Sequence, residues 1–261
     1  MARRAIISDI HSNVLALVAV LADIKTQNVD AIVCLGDICG YGPDPIECID
    51  LIRAKCKWAL CGNHDIALFM TVPIGFNRFA REAIEWQREL LRPRWYSLPE
   101  TKDRWRWLES LAAMRQEGPV LYVHASPRDP LMEYVEEGDF ADMGFGPSQK
   151  GMDMFEKIEQ LCFCGHSHKP GVVTEEFIWL KPHELPDFTH TLHVGEKTLV
   201  NVGSVGQPRD NRPQSCYAIY DDQAQTVTFR RVPYDIPKEE ERFAHVPRLS
   251  ERLSKRLETG T

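Results

Sequence analysis

The sequence predicts an α/β protein in which two β-sheets pack face to face and helices cover their outer sides. The first hundred residues alternate short apolar strands with amphipathic helices, a pattern typical of parallel strands joined by helical crossovers. From Gly171 onward, the pattern becomes rich in β-strand. The 261 residues suffice for one large core and show no internal repeat or linker, so we expect a single domain over residues 1–261.

The N-terminal half supplies three predicted strands and the helices between them. Strands are expected at 5–7, 31–35 and 57–60, and helices at 13–27 and 43–55. In the first helix apolar residues recur at helical spacing, and Asp44-Pro45 marks the first turn of the second. The next segment, about 69–118, is predicted to be a helical insertion that caps the ends of the strands.

The second half supplies the remaining strands. They are predicted at 120–123, 161–164, 172–180, 189–194, 198–202, 216–220 and 226–232, with a helix at 147–160. The early strands would form one mainly parallel sheet and the late strands the other. In the charged tail, about 237–258, apolar residues recur at helical spacing, which predicts two amphipathic helices broken at Pro247. We expect this tail to dock on its own chain, with a dimer contact as the alternative.

Charge and composition exclude several classes of protein. The chain has 31 Lys+Arg against 38 Asp+Glu, a net charge of −7, which argues against extended binding to nucleic acid. Phosphorylated substrates remain possible because bound cations can reverse the local sign of a site. No segment has the roughly 20 apolar residues of a membrane span, and no signal peptide is expected. The eight cysteines lie in apolar surroundings typical of reduced thiols, so we expect a cytoplasmic location.

Polar residues follow five of the predicted strands directly. These segments are Asp9-Ile10-His11, Gly36-Asp37, Gly62-Asn63-His64-Asp65, His124 and Gly165-His166-Ser167-His168. Ligands of open α/β sheets bind beyond the carboxyl ends of the strands, so these segments can converge on one crevice. Five of the nine histidines lie in them.

These residue types indicate a metal site rather than a Ser-His-Asp triad. Imidazole nitrogens mixed with carboxylate and amide oxygens suit Mn, Fe, Zn, Co or Ni, whereas Ca prefers oxygen alone. A carboxylate can bridge two ions, and seven ligands with one bridge would leave open positions for water and substrate. Each motif alone has a simpler explanation: Gly-Asn-His-Asp can be a turn and His124 a core-edge histidine. Gly-His-Ser-His is stronger, because residues i and i+2 of an extended chain point the same way.

In this order, the motifs resemble those of the calcineurin-like metallophosphoesterase superfamily: D-x-H, G-D-x-x-G, G-N-H-D/E, a later H, and G-H-x-H. The segments 36–43, 124–130 and 201–209 further resemble small bacterial members described as serine/threonine protein phosphatase-like. The resemblance implies a four-layer α/β/β/α sandwich with two mixed sheets. It also implies two divalent ions and a bridging hydroxide that attacks a phosphoryl group.

The same resemblance implies a role for each residue. One ion would be held by Asp9, His11, Asp37 and His168, and the other by Asp37, Asn63, His124 and His166. His64 would protonate the leaving oxygen or stabilise the phosphoryl charge, and Asp65 would orient His64. Arg128 and Arg209 are expected to bind substrate because guanidinium groups grip phosphate with two hydrogen bonds; Asn77 and Tyr41 are weaker candidates.

The resulting expectation is a metal-dependent hydrolase of phosphomonoesters, acting on a phosphoprotein or a small phosphorylated metabolite. Two alternatives remain. One is a phosphodiesterase or dinucleoside polyphosphate hydrolase, which would share the metal chemistry, and the other is a non-catalytic scaffold of the same fold. The sequence leaves open whether the protein is a monomer or a homodimer.

Overall fold

The computed structural model describes residues 3–71, 75–141 and 148–261. Its strands are β1 (Arg3–Ile7), β2 (Ala31–Cys34), β3 (Trp58–Ala59), β4 (Met114–Glu117), β5 (Val120–Val123), β6 (Leu161–Cys164), β7 (Gly171–Thr174), β8 (Trp179–Leu180), β9 (Thr189–Thr191), β10 (Thr198–Asn201), β11 (Ser215–Asp221) and β12 (Thr226–Val232). Its helices are α1 (Val14–Ile24), α2 (Pro45–Lys55), α3 (Asn63–Ala67), α4 (Arg78–Leu91), α5 (Pro99–Glu109), α6 (Gln149–Glu156), α7 (Ile236–Ala244) and α8 (Glu251–Thr259).

The strands form two six-stranded mixed sheets. The first sheet has the order β3-β2-β1-β11-β12-β9, in which β1, β2 and β3 are parallel and the later strands antiparallel. The second has the order β4-β5-β6-β10-β7-β8, with β5, β6 and β10 parallel. The carboxyl ends of the central strands of each sheet are therefore available to build one site.

Alternating side chains produce the predicted four layers. On β1, Ile6 packs between the two sheets, whereas Ile7 faces the opposite side, where α1 and α2 cover the first sheet. Met154 and Phe155 of α6 cover the outer face of the second sheet. Because successive strand residues point to opposite faces, each sheet is buried on both sides. The α/β/β/α sandwich implied by the motifs is confirmed.

Three sequence predictions need correction. The division into an early and a late sheet is wrong, because β11 pairs with β1 and β10 pairs with β6, so that each sheet combines early and late strands. The predicted strand 172–180 is a hairpin of β7 and β8. The helical insertion predicted over 69–118 ends in strand β4, which pairs with β5. Residues 72–74 of that insertion and the predicted helix start at Pro147 lie outside the described residues.

The C-terminal helices pack on the body of the chain. Phe243 of α7 and Leu253 and Leu257 of α8 are buried in a cluster with Tyr41 and Ala83 of α4. Apolar positions at helical spacing thus form the interface that holds the tail beside the strand ends. Within the described ranges, no helix combines the length and apolar character needed to cross a membrane.

Candidate metal centre

The structure brings all seven predicted ligands together beyond the ends of strands from both sheets. In chain order they are Asp9 and His11 after β1, Asp37 after β2, Asn63 at the start of α3, His124 after β5, and His166 and His168 after β6. None is more than 6% exposed. The two sheets meet here directly, since the backbone N–H of His166 donates to Asp9 Oδ2 at 3.0 Å.

The side chains form two groups of potential ligands. Asp9, His11 and His168 make up the first, with Asp9 Oδ1 3.3 Å and His11 Nε2 3.2 Å from His168 Nε2. Asp37, His124 and His166 make up the second. Asn63 joins the second group, because its Oδ1 lies 3.1 Å from His124 Nε2.

Asp37 lies between the two groups. Its Oδ2 is 3.5 Å from His11 Nε2 in the first group and 3.4 Å from His124 Nε2 in the second. Its Oδ1 accepts the backbone N–H of His64 at 2.8 Å, which fixes the orientation of the carboxylate. One carboxylate oxygen therefore faces both groups, as a bridging ligand requires.

The hydrogen bonds of the histidines suit cations. His11 Nδ1 faces the carbonyl of Cys39 at 3.1 Å, and His168 Nδ1 faces that of Gln207 at 2.5 Å. A carbonyl only accepts, so each Nδ1 carries the proton and each Nε2 presents a lone pair to the other Nε2. Buried Asp9 Oδ1 beside them has no hydrogen-bond partner among the described residues. Three acceptors converging on one point are satisfied by a positive ion.

Burial and mutual charge shift the pKa values of the candidate ligands, and only some of these shifts favour the deprotonated state in which a side chain binds a metal ion. Burial lowers the pKa of His11 and His168, and it lowers that of His166 to about 3, so these imidazoles are neutral. Burial, with a further contribution from Asp37, raises the pKa of Asp9 to about 7. For His124 burial is outweighed by the charge of Asp37, which raises the pKa to about 9.

The backbone of the centre adopts left-handed conformations that are unusual for residues with side chains. Positive φ values occur at Asp9 (55°), His11 (49°), Asp37 (51°), Tyr41 (50°), His166 (64°) and His168 (60°). The prediction that the two histidines of Gly-His-Ser-His share an extended segment is therefore wrong, and their rings enter different groups. Gly62 permits the close approach of the loops, since a Cβ there would lie 2.0 Å from Asp37 Oδ1.

His64 lies at the mouth of the same centre. Its ring is 4.8 Å from that of His11 and 4.9 Å from that of Phe76, measured between centroids. Burial lowers the pKa of His64 to about 4, and its buried Nδ1 has no hydrogen-bond partner among the described residues. By distance, His64 also forms a group of potential ligands with His11 and Asp37, so its position does not by itself distinguish a metal ligand from a residue that contacts substrate.

Asp65 contributes differently from the sequence prediction. Its carboxylate does not hold the His64 ring; it accepts backbone N–H groups from Ile38 at 3.2 Å, Cys39 at 2.9 Å and Gly62 at 3.0 Å. These bonds join the loop after β2 to the loop after β3. Asp65 therefore positions the segments that carry Asp37 and His64.

Two of the predicted substrate residues lie beside the centre, a third lines a cavity at its edge, and the fourth is engaged elsewhere. Tyr41 packs 4.6 Å from the His11 ring, and the Arg209 guanidinium lies 5.6 Å over the Tyr41 ring. Asn77 caps α4 by accepting the Ala80 N–H and lines a cavity next to Tyr41. Arg128 is instead bound by Asp153 at 2.9 Å and by Glu133 at 3.5 Å.

Two further residues escaped the sequence analysis. Tyr134 stacks on His166 with centroids 4.1 Å apart, although nothing in its sequence context marks it. Gln87 of α4 is fully buried; it accepts the Gly40 N–H and donates to Gly42 O and Ser12 Oγ. A polar residue on the apolar face of a predicted helix is the signal that could have identified it.

Comparison with known proteins decides the family. The sequence model of the calcineurin-like phosphoesterase superfamily domain matches residues 3–225. The chain belongs to this superfamily. The motifs that resemble the superfamily pattern are the ones that carry the buried aspartate and histidine groups, so this superfamily member has candidate metal-binding residues at the expected place in the fold.

Individual relatives extend over nearly the whole chain. An uncharacterized protein of Methanocaldococcus jannaschii is 37% identical over 262 residues, covering 98% of this chain and 97% of that protein. A metallophosphoesterase from Sphaerobacter thermophilus has 35% identity and a TM-score of 0.81, covering 100% of this chain and 99% of that one. A hypothetical protein from Pyrococcus horikoshii shares the fold, with 18% identity, a TM-score of 0.75, and coverage of 100% and 99%.

Proposed function

We propose that this superfamily member hydrolyses phosphomonoesters, either a phosphoprotein or a small phosphorylated metabolite, with two divalent metal ions. The position of Asp37 carries the proposal. Its Oδ2 faces His11 Nε2 at 3.5 Å on one side and His124 Nε2 at 3.4 Å on the other. A single carboxylate oxygen between two buried groups of nitrogen and oxygen donors suits a pair of ions better than one ion.

The two groups would each hold one ion, with Asp37 shared. Asp9, His11 and His168 would bind the first ion, and Asn63, His124 and His166 the second; Mn, Fe, Zn, Co and Ni all suit such ligands. Ions held there would acidify a water molecule and neutralise phosphoryl oxygens. The chain's own contribution is to present these donors to one another in a buried position, since none of them is more than 6% exposed.

His64 is the proposed partner of the phosphoryl group. Burial lowers its pKa to about 4, so the neutral ring can donate one N–H while Nδ1 or Nε2 remains an acceptor. This favours a hydrogen bond to a phosphoryl or leaving oxygen, which strengthens as charge develops in the transition state. Phe76 and Tyr41 hold the ring on two sides, with centroids 4.9 and 4.5 Å away.

Hydrolysis of p-nitrophenyl phosphate with added Mn²⁺ tests the proposal, with bis-p-nitrophenyl phosphate as the diester comparison. We expect the monoester to be preferred and chelation to abolish turnover. His64→Ala should lower kcat by about 10²-fold or more while the metal content stays unchanged, because removal of one transition-state donor has an effect of that size. His183→Ala, an exposed histidine outside the centre, serves as the matched control.

Metal analysis tests the bridge separately. Asp37→Asn should reduce the binding of both ions together, whereas His166→Ala should reduce that of one. Two ions per chain in the Asp37→Asn variant, or hydrolysis that survives both chelation and His64→Ala, would contradict the proposal. A preference for the diester would replace the monoester with a phosphodiester as substrate.

A further inference from the structure

Beside the metal centre lies a second cationic surface, which the C-terminal helix completes. The Arg209 guanidinium lies over Tyr41, whose ring packs against His11 and His64. Arg256 of α8 and the same tyrosine line a cavity of about 240 Å³, to which Arg252 and Thr261 also contribute. We call Arg209, Tyr41 and Arg256 the arginine rim. Because α8 follows residue 225, Arg256 lies beyond the segment that matches the superfamily model, whereas Tyr41 and Arg209 lie within it.

Neither arginine of the rim pairs with an aspartate or glutamate of the described residues, although Arg209 Nη2 donates to Gln207 Oε1 at 2.9 Å and Arg256 Nε donates to Thr261 O. Among the residues that the structure describes, no aspartate or glutamate side chain lies within 4.0 Å of either guanidinium, whereas Arg242 and Arg248 of the same tail pair with Asp44 and Glu89. The Nε of Arg209 is buried without a hydrogen-bond partner among those residues. Burial, and next the charge of Arg209, lower the pKa of Arg256, which reflects two cations facing each other. An anion between them would relieve both costs.

The rim is held in place by the end of α8. The helix ends at Gly260, which adopts a left-handed φ of 68° and accepts the backbone N–H of Asn211 at 2.8 Å. A Cβ at Gly260 would lie 2.4 Å from Arg212 O, so glycine is required for this contact. The contact fixes Arg256, one helical turn earlier, against the loop that carries Arg209. Such preorganisation is typical of a binding surface.

We propose that the arginine rim binds a second phosphate group of the substrate, beyond the phosphoryl group that reacts. The inference rests on the proposed function and narrows it to phosphomonoesters that carry two phosphates. Planar guanidinium groups bind phosphate through paired hydrogen bonds, and the rim places two of them next to Tyr41 at the edge of the centre. Arg256 would thus select substrate without taking part in the chemistry.

A structural role for Arg256 is the competing explanation. Its Nε donates to the main-chain oxygen of Thr261, so the side chain also holds the last residues of the tail. A purely structural role would alter the binding of one-phosphate and two-phosphate ligands equally. A subsite for a second phosphate would alter only the difference between them.

Calorimetric titration of the Mn²⁺-loaded protein with propylphosphonate and 1,3-propanediphosphonate distinguishes the structural role of Arg256 from the phosphate subsite. The ligands differ only in the second phosphonate, and neither can be hydrolysed. We expect the wild type to bind the diphosphonate at least about tenfold more tightly, and Arg256→Gln to remove about tenfold of that preference, as loss of one charged hydrogen bond would. Arg256→Lys, which keeps the charge but loses the planar guanidinium, should restore only part of it.

Lys255→Gln is the matched control, because Lys255 lies on the same helix but faces Glu240 and Glu258. It should leave both dissociation constants within about twofold of wild type. Equal affinity of the wild type for both phosphonates, or equal losses for both ligands in Arg256→Gln, would overturn the inference. Binding is measured without turnover, so a protein inactive on p-nitrophenyl phosphate that still showed the preference would refute the proposed function and leave the rim intact.

Discussion

The C-terminal helices contain a buried carboxyl group whose ionisation opposes folding. Glu239 of α7 is fully buried. Burial raises its pKa from the ordinary value of 4.5 to about 8, and the charge of Asp44 contributes in the same direction. Between these two values the folded chain keeps a proton that the unfolded chain has lost. The free energy of unfolding therefore falls as the pH rises from about 4.5 through 8.

Glu239→Gln should remove this dependence, because the amide has nearly the same shape and no charge. The difference between the two pKa values corresponds to about 5 kcal/mol once the group is ionised in both states. The variant should exceed wild type in unfolding free energy by about 3 kcal/mol at pH 7 and about 5 kcal/mol at pH 9, but by less than about 1 kcal/mol at pH 5. Urea denaturation at the three pH values measures each difference.

Glu241→Gln on the exposed side of the same helix is the control and should change stability by less than about 0.5 kcal/mol at every pH. A difference between Glu239→Gln and wild type that stays constant from pH 5 to pH 9 would refute the reasoning. It would mean that Glu239 ionises normally in the folded protein.

Two further predictions concern the centre and its supports. Gln87→Leu should lower the unfolding free energy by about 3 kcal/mol, because it removes the buried partner of Gly40 N–H, Gly42 O and Ser12 Oγ. Urea denaturation measures the difference. A variant as stable as wild type would show that these three groups find other partners. Chelation should lower the midpoint of thermal unfolding by about 5–10 °C in a calorimetric scan, because ions at a hundredfold excess over Kd contribute about 2.7 kcal/mol. Bound ions would also relieve the repulsion between buried Asp9 and Asp37. Identical midpoints with Mn²⁺ and with chelator would mean that the folded chain holds no tightly bound ion.

The sequence predicts that the candidate metal-binding residues lie together because each follows an apolar strand. Strand ends converge in α/β sheets, so Asp9 and His168 could be placed together although they lie far apart in the chain. The assignment of His166 and His168 to opposite groups came from the family resemblance. The prediction of an extended backbone at these two residues was wrong, because their left-handed conformations depend on contacts with distant loops.

Other features depend on tertiary contacts that leave no local pattern. The pairing of β11 with β1 joins residues more than two hundred positions apart, and alternation of apolar residues does not specify which strand is the neighbour. Arg128 lies close enough to His124 in the sequence to suggest substrate binding, but in the fold it forms a salt bridge with Asp153 of α6. In the sequence Arg256 is one of many charged residues of the tail, and its approach to Arg209 depends on how α8 docks on the rest of the chain.

The left-handed residues of the centre also determine when in folding the candidate ligands can come together. Each costs about 1–2 kcal/mol relative to ordinary backbone, and the set together approaches the net stability of about 5–15 kcal/mol that a whole domain possesses. Only completed packing can sustain that cost. A chain synthesised as far as β5 has Asp9, Asp37 and His124 but lacks His166 and His168, and it also lacks Gly206, whose N–H bonds to Asp9 O. The seven candidate ligands therefore converge only when both sheets of the fold are complete.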